Sequence, residues 1–312
     1  MSAALSVRNL RKIYRGKKPF VAVDGISFDL KEGEILGLLG PNGAGKTTTI
    51  QMLMSTLSPT SGQILYFGMD LAKHRSEVLK KVTFASTYVS LPWNLTVEQN
   101  LEVFSRLFSW KPKAIKPYRD ELLERFGIAS KLKDKVSSLS SGQITRLMIV
   151  KAFMVKPRIV LLDEPTAALD PDIARDVVDF ILEQRKKEGL SILFTSHNMG
   201  EVSEMCDRVL FLKDGKIFAD DIPKNLAKKV ARSRLELVMA DGMQRLKKIA
   251  TGLGMEVKID HRTASLELDE AQIAYFLSAL ADAKVIYSSI NIIQPTLEDF
   301  FLQAATKKRK SK

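Results

Sequence analysis

The sequence is poor in cysteine and histidine, and it contains no long run of apolar residues. Its single cysteine, Cys206, excludes an intrachain disulfide bond. One cysteine and three histidines among 312 residues disfavour a structural zinc site. No run of about 18 apolar residues is present, so we expect no transmembrane helix. The first residues lack the apolar core of a signal peptide, and together these absences favour a protein of the reducing cytosol.

Length and charge set broader limits. The chain is long enough for two domains, and its 45% hydrophobic and 27% charged residues are ordinary for a globular protein. The net charge is +12, and the tail 307–312 contains five basic and no acidic side chains. This tail is either a solvated chain end, or a contact for anionic lipid headgroups, or a contact for nucleic acid. It contains no aromatic residue for base stacking, so we expect no specific nucleic acid partner.

A glycine-rich loop follows a short apolar run, residues 34–39, and precedes a segment, residues 49–53, that can begin a helix. The loop fits the phosphate-loop pattern G-x-x-x-x-G-K-[ST], and strand–loop–helix is the context that this pattern requires. Glycines let the backbone wrap around phosphates, and N–H groups at a helix N-terminus point at the anion. We expect the Lys46 ammonium near the β- and γ-phosphates and the Thr47 hydroxyl on Mg²⁺. The loop consists of Gly40, Pro41, Asn42, Gly43, Ala44, Gly45, Lys46, Thr47 and Thr48.

Two carboxylates, Asp163 and Glu164, follow a second apolar strand, residues 158–162. An acidic residue at the end of such a strand supports Mg²⁺ in phosphate-loop enzymes. Neighbouring side chains of a strand point to opposite faces, but a turn at the strand end lets both carboxylates reach one site. We expect Asp163 to hold the metal through water and Glu164 to polarise the attacking water. The alternative is that both carboxylates cap the next helix.

Three further segments are candidates for contacts to the nucleotide. His197 follows the strand 191–196, at the sheet edge where α/β proteins bind ligands, and it could bond a γ-phosphate and the catalytic carboxylate. Residues 139–143 precede an apolar helix, where Ser and Gly either donate to a phosphate or form an ordinary cap. Tyr14 lies in a basic loop, where it either stacks on an adenine or is simply exposed.

In order and spacing, these segments resemble the nucleotide-binding domain of ABC transporters over residues 4–222. The resemblance implies that residues 40–48 are the Walker A loop, that 159–164 are Walker B with Glu164 as the catalytic carboxylate, and that His197 is the switch histidine. It also implies an adenine-stacking role for Tyr14. The signature and D-loop residues that it implies are Ser140, Ser141, Gly142, Gln143 and Asp170.

The resemblance further implies a partner. In this family two domains face head to tail, and the signature of one closes over the γ-phosphate held by Walker A of the other. We therefore expect ATP and Mg²⁺ as ligands and a second ATPase subunit, either identical or different. Two positions depart from the family pattern: Ser141 replaces a glycine, and Thr87 stands where a metal-contacting Gln is usual. The Thr87 contact would need a bridging water, or is lost.

The C-terminal third has a pattern of its own. Residues 235–293 follow the order β-α-β-β-α-β, which is the ferredoxin-like arrangement. Residues 295–301, Pro-Thr-Leu-Glu-Asp-Phe-Phe, resemble the C-terminal extension of bacterial ABC ATPases that serve export permeases. No catalytic constellation is apparent in this region, because its one histidine, His261, falls in a predicted hairpin turn.

The predicted fold is an α/β P-loop ABC ATPase domain over residues 1–222, with a mixed sheet core and a helical subdomain over about 88–157. A small α+β, ferredoxin-like domain over 223–306 follows, then the basic tail 307–312. Within the helical subdomain, Thr96 and Gln99 predict a capping box. The helical spacing places Leu101, Phe104, Leu107 and Phe108 in its core.

The predicted function is that of the ATPase subunit of an ABC exporter, peripheral on the cytoplasmic face of the membrane. The work would be done by a separate membrane permease, docked near residues 85–110, where Leu91, Pro92 and Trp93 are either its contact or buried in the lid. One alternative is a soluble ABC ATPase that acts on nucleic acid or ribosomes. Another is a catalytically silent regulator, which the presence of Glu164 and His197 disfavours.

Overall fold

The chain folds into two compact units that meet at Pro223 and Lys224. A computed structural model describes residues 3–16, 18–86, 91–229 and 232–306. The Thr87 position and the basic tail 307–312 lie outside these described residues. None of the helices in the described part is both long and apolar enough to cross a membrane.

The first unit combines two sheets with a layer of helices. Its strands are β1 (Ala3–Tyr14), β2 (Phe20–Lys31), β3 (Ile35–Leu39), β4 (Ser61–Tyr66), β5 (Met69–Asp70), β6 (Val82–Ser86), β7 (Ile159–Asp163), β8 (Ser191–Thr195), β9 (Arg208–Lys213) and β10 (Lys216–Asp221). Its helices are α1 (Lys46–Leu53), α2 (Arg75–Leu79), α3 (Val97–Leu107), α4 (Pro112–Arg125), α5 (Ser141–Met154), α6 (Pro171–Glu188) and α7 (Met199–Met205).

The larger sheet positions the functional segments. Its strands lie in the order β10-β9-β3-β8-β7-β6, in which β9, β3, β8, β7 and β6 are parallel and β10 is antiparallel at the edge. Strands β3 and β8 are wholly buried and consist mostly of apolar residues, as expected for parallel strands covered on both faces. Because parallel strands end at one edge, the loops after β3, β7 and β8 are brought together. The predicted mixed sheet is confirmed.

The second sheet is antiparallel, in the order β2-β1-β4-β5. It shares a hydrophobic core with the larger sheet and with α1: Leu5 and Val7 of β1, Leu36 and Leu38 of β3, and Ile50 of α1 belong to one buried cluster. Apolar packing against both sheets therefore holds α1, the helix that follows the glycine-rich loop, in place.

Helices α3, α4 and α5 form the helical subdomain. Thr96 caps α3 in the predicted capping box with Gln99, and Leu101 is buried as expected. The prediction that Leu107 belongs to the core is wrong, because this side chain is 68% exposed. Ser105 in the same turn is fully buried, so the packed face of α3 runs through Leu101 and Ser105, and Leu107 lies outside this face.

The second unit begins near α8 (Pro223–Lys228). Its further elements are β11 (Ser233–Asp241), α9 (Met243–Gly252), β12 (Val257–Asp260), β13 (Thr263–Leu268), α10 (Glu270–Asp282), β14 (Ile286–Ile293) and α11 (Leu297–Thr306). The four strands form an antiparallel sheet in the order β12-β13-β11-β14. Leu235 and Leu237 of β11 share a buried core with Leu246 of α9 and Phe276 of α10. The chain order of these core elements, β11 to β14, is the predicted β-α-β-β-α-β.

A charge network that includes the buried Glu34 ties the strands of the first unit together. The Arg208 side chain donates from Nε to Glu34 Oε1 at 2.8 Å, and from Nη1 to both carboxylate oxygens of Asp220 at 2.8 and 2.9 Å. Its Nη2 also donates to the Asp29 carbonyl oxygen of β2. The Glu34 side chain is only 8% exposed, and its Oε2 also accepts from the Lys31 backbone N–H at 2.7 Å.

We expect Arg208→Leu to lower the free energy of unfolding by about 3 kcal/mol, because the substitution leaves a buried carboxylate unpaired. Urea unfolding followed by circular dichroism measures the loss. Arg175→Leu is the control: its ion pairs with Asp179 and Glu204 are formed by a side chain that is 58% exposed, and exposed pairs contribute about 1 kcal/mol or less. Equal losses in the two variants would contradict the expectation.

Candidate active site

The loop after β3 requires glycine at two positions for steric reasons. Gly40 has φ 145°, and a Cβ there would lie 2.2 Å from the Leu212 carbonyl oxygen. Gly45 has φ 104°, and a Cβ there would lie 2.5 Å from the Ala22 carbonyl oxygen. The loop is thus pressed against β2 and β9, with no room for a side chain on that side. A backbone held this close leaves its other side open for a ligand.

Lys46, the first residue of α1, points back along this loop. Its Nζ donates to the Gly40 carbonyl oxygen at 2.6 Å and to that of Pro41 at 3.3 Å. Burial lowers the pKa of this half-buried ammonium, while the charges of Glu164 and Asp163 oppose the effect. Within the described residues Lys46 forms no ion pair. A desolvated cation that is held only by neutral carbonyls fits an incoming phosphate.

The start of α1 offers further groups to an anion. The first N–H groups of a helix have no intrahelical acceptor, and α1 begins at Lys46 with Gly45 as its N-cap. Thr47 is exposed, and its hydroxyl has no hydrogen-bond partner among the described residues. Thr48 is half-buried beside it, whereas Thr49 donates inward to the Gly45 carbonyl oxygen at 2.9 Å.

Asp163 ends β7 and is oriented by two hydroxyls. Thr195 Oγ1, at the end of the adjacent β8, donates to Asp163 Oδ1 at 2.6 Å. Ser86 Oγ, at the end of β6, donates to Oδ2 at 3.4 Å. No cluster of three or more His, Cys, Asp or Glu side chains suited to a metal occurs within the described residues. The donor set fits a Mg²⁺ ion that takes most of its ligands from phosphate oxygens, a hydroxyl and water.

Glu164 follows Asp163 in a left-handed conformation, with φ 54°. For a side chain other than glycine this costs about 1–2 kcal/mol. This conformation turns the chain at the end of β7, so that the side chains of Asp163 and Glu164 both lie at the same edge of the sheet. Its backbone N–H donates to the Thr195 carbonyl oxygen at 3.1 Å and to Thr195 Oγ1 at 3.2 Å. These bonds hold the strained turn in place.

The Glu164 carboxylate meets His197. The His197 backbone N–H donates to Glu164 Oε2 at 3.2 Å, and His197 Nε2 lies 3.2 Å from Oε1. The Glu164 side chain is 10% exposed and that of His197 is 61% exposed, so the imidazole stands between the carboxylate and the solvent. Burial raises the pKa of the Glu164 carboxyl above its ordinary value, although the charges of His197 and Lys46 oppose the rise. The alternative, that Asp163 and Glu164 cap the next helix, is not what their contacts show.

The residues of the signature segment are placed apart from this cluster. Ser140 is the N-cap of α5, and it forms a capping box with Gln143 through bonds of 2.9 and 3.3 Å. A Cβ on Gly142 would lie 3.3 Å from the Ala168 carbonyl oxygen, so this helix start touches the loop before α6. Asp170 is the N-cap residue of α6. No hydrogen bond or ion pair between described residues joins 139–143 to the loop 40–48.

The two remaining predicted site residues are Tyr14 and Thr87. Tyr14 is the last residue of β1, and its side chain is 40% exposed. The distance from the centre of its ring to the Lys12 ammonium is 5.6 Å. Thr87 directly follows Ser86, but it falls outside the described residues.

The sequence analysis did not identify the hydroxyls that hold the cluster. Thr195 ends β8, Ser196 directly follows that strand, and Thr166 follows the carboxylates. The structure places all three in the hydrogen-bond network of the site. Glu201 of α7 also belongs to this network. A signal was present, since a hydrophobic strand that ends in Thr-Ser-His offers three polar side chains to the edge where Asp163 and Glu164 were expected.

Known proteins are similar to this chain in sequence and in fold. A family model described as ABC transporter matches residues 23–167. The linearmycin resistance ATP-binding protein LnrL of Bacillus subtilis is 30% identical over 308 residues, which cover 96% of this chain and 97% of that protein. The doxorubicin resistance ATP-binding protein DrrA of Mycobacterium tuberculosis is 31% identical, with 97% and 94% covered. A dimeric, post-hydrolysis structure of the ATP-binding cassette MJ0796, bound to ADP and Pi, is 22% identical and has a TM-score of 0.64 over 70% of this chain and 98% of that one.

We expect Gly40→Ala to weaken nucleotide binding about tenfold or more, a loss of at least ~1.4 kcal/mol, because the new methyl group displaces the loop from the Leu212 carbonyl. Titration with a fluorescent ATP analogue measures the affinity. Gly68→Ala is the control, since Gly68 also has a positive φ of 78° but a Cβ there meets open space. Unchanged affinity in Gly40→Ala would contradict the expectation.

Proposed function

This chain belongs to the family of ABC transporter ATP-binding proteins and is an ATP hydrolase, and we propose that it powers an exporter through a separate membrane permease. The observation that carries the proposal is the convergence of Lys46, Asp163, Glu164 and His197 at one edge of the parallel sheet. LnrL and DrrA, the relatives matched over nearly their whole length, bear names that refer to resistance against linearmycin and doxorubicin. Those names favour export over import.

We assign roles at the site as follows. The loop Gly40–Thr48 binds the phosphates of ATP, with the Lys46 ammonium against the β- and γ-phosphates. Thr47 would hold Mg²⁺ directly and Asp163 through water, and the ion when bound would neutralise charge that develops on the phosphates. The Glu164 carboxylate accepts a proton from the attacking water. His197 keeps that carboxylate oriented and faces the γ-phosphate.

We further propose that the working form is a dimer. Residues Ser140–Gln143 begin a helix that makes no hydrogen bond or ion pair to the loop 40–48 of its own chain, within the described residues. In a head-to-tail dimer this helix start would face the γ-phosphate held by the second copy, with Asp170 at the same interface. Tyr14, exposed at the end of β1, would stack on the adenine. For Thr87 two alternatives stay open, a contact to the metal through a bridging water or the loss of that contact.

The permease is proposed to dock on the helical subdomain near residues 85–110. Trp93 is 51% exposed and Leu107 is 68% exposed, whereas Leu91 is buried. Exposed apolar side chains mark a contact surface where they form one patch, and we propose that Trp93 and Leu107 contribute to such a patch. Attachment to a permease would place the chain at the cytoplasmic face of the membrane. The basic tail 307–312 is proposed to contact anionic headgroups there, at about 1 kcal/mol per basic residue.

The raised pKa of Glu164 has a consequence for activity. The carboxylate must be ionised to accept a proton, so the rate of ATP hydrolysis is full above this pKa and falls as the pH drops through it. Because burial raises the pKa of Glu164, we expect the acid limb of the kcat profile to lie above the ordinary glutamate value of about 4.3. Steady-state hydrolysis between pH 4 and 8 measures it, with nucleotide affinity followed in parallel. A limb at or below pH ~4.3 would be evidence against the role of Glu164.

The dimer is tested with Glu164→Gln, which should bind ATP without hydrolysing it. We expect the mass by light scattering to double from 34.9 kDa when Mg-ATP is added, and to stay single without it. Gly142→Arg in the same background should abolish the dimer but not ATP binding, because a long side chain would stand at the start of α5. Ala72→Arg, at an exposed turn remote from this helix in sequence, is the matched control.

One outcome would contradict the homodimer, and a second would contradict its head-to-tail arrangement. If Glu164→Gln stays monomeric at saturating Mg-ATP, closure needs a different ATPase subunit or the permease. If Gly142→Arg dimerises as well as its parent, the start of α5 does not lie at the interface.

A further inference from the structure

One carboxylate joins the two loops that carry Glu164 and His197. Glu201 lies in the first turn of α7. Its Oε2 accepts from Thr166 Oγ1 at 2.8 Å and from Ser196 Oγ at 3.1 Å. Thr166 belongs to the loop after β7, and Ser196 to the loop after β8. The contact therefore bridges segments that are 30 residues apart in the sequence, 166 and 196.

The two hydroxyls of the bridge are shielded from water. Thr166 is 7% exposed and Ser196 is 5% exposed. Hydroxyls that are closed off in this way depend on a protein acceptor, because losing it leaves a buried donor unsatisfied. The other carboxylate oxygen, Oε1, accepts from Asn198 Nδ2 at 3.2 Å. Asn198 Oδ1 in turn caps α7 by accepting from the Gly200 and Glu201 N–H groups, which fixes the position of Glu201.

The two loops are joined at two places. On the strand side, Thr195 binds Asp163 and the backbone of Glu164. On the helix side, Glu201 binds Thr166, which lies two residues after Glu164, and Ser196, which directly precedes His197. The contacts of 3.2 Å between Glu164 and His197 lie between these two joints. Their length depends on the separation that both joints impose.

We propose that Glu201 is a positioning residue for ATP hydrolysis: it holds Thr166 and Ser196 so that the Glu164 carboxylate stays against His197. The inference depends on the proposed role of Glu164. Glu201 has no hydrogen bond or ion pair to the loop 40–48 among the described residues. Its effect is therefore on the rate of the chemical step and not on the binding of nucleotide.

The test uses the full chain with Glu201→Ala. We expect kcat to fall about tenfold or more, because displacements of about 1 Å in a reacting group have effects of this size, while the affinity for ATP stays unchanged. Glu204→Ala is the matched control: it lies on the same helix, and its carboxylate binds the exposed Arg175 Nη1 at 2.9 Å. Glu201→Gln retains an oxygen that can accept from both hydroxyls and should recover most of the rate.

A second readout does not depend on turnover. The chain has three histidines, so the imidazole signals of His197 can be resolved by NMR of histidine-labelled protein without nucleotide. In Glu201→Ala we expect the His197 signals to move while those of His74 and His261 stay in place. Thr166→Val should move them in the same direction, and adding it to Glu201→Ala should change them little further.

Several results would overturn the inference. The first is an unchanged kcat together with unmoved His197 signals in Glu201→Ala. The second is a parallel loss of kcat, nucleotide affinity and melting temperature in that variant, which would indicate a general structural role. If Glu201→Ala does not fold, the inference is tested with Thr166→Val alone. A wild-type rate of ATP hydrolysis by Thr166→Val then overturns the inference. Full hydrolysis by Glu164→Gln would instead refute the role of Glu164, and the His197 signals would still report whether Glu201 sets the geometry.

Discussion

The hydrogen bonds between the ends of β7 and β8 are the constraint on which the site depends. Parallel strands end at one edge, but that alone leaves their loops free to diverge. Thr195 prevents this by donating to the Asp163 carboxylate and accepting from the Glu164 backbone N–H. The same residue therefore orients one acidic side chain and stabilises the left-handed turn that presents the other. Without these bonds the strain at Glu164 would have nothing to offset it.

Desolvation acts on both signs of charge at this edge. Burial lowers the pKa of Lys46 and raises that of Glu164, so each charged form is less stable there than in water. Their mutual attraction recovers part of this cost, and a phosphate bound by Lys46 would recover more for the cation. For the carboxylate the effect is opposite, since a nearby anion disfavours its ionised form and makes it a stronger base. The edge is thus arranged to hold an anion beside a carboxylate that accepts protons readily.

Local sequence was sufficient where local rules govern structure. The glycine loop, the capping box at Thr96, and the element order of the second unit all follow from short patterns. Two features depended on tertiary context. Leu107 was expected in the core, but the packed face of α3 runs through Leu101 and Ser105, which leaves Leu107 exposed. Glu201 looks like an ordinary acidic residue in a first helical turn, and only the fold places it between Thr166 and Ser196.

The state of the helix starts bears on the proposed dimer. In α5, Ser140 and Gln143 satisfy each other, which leaves the N–H groups of Ser141 and Gly142 without intrahelical acceptors. Helix α1 has the same unsatisfied donors beside Lys46. Each chain thus carries two helix N-termini suited to an anion, and no described hydrogen bond or ion pair joins them. In the proposed head-to-tail dimer, one phosphate would satisfy the donors of α1 from one copy and those of α5 from the other, so nucleotide binding and association would become one equilibrium. Hydrolysis would remove the γ-phosphate between them, and the donors left without an acceptor would then favour release.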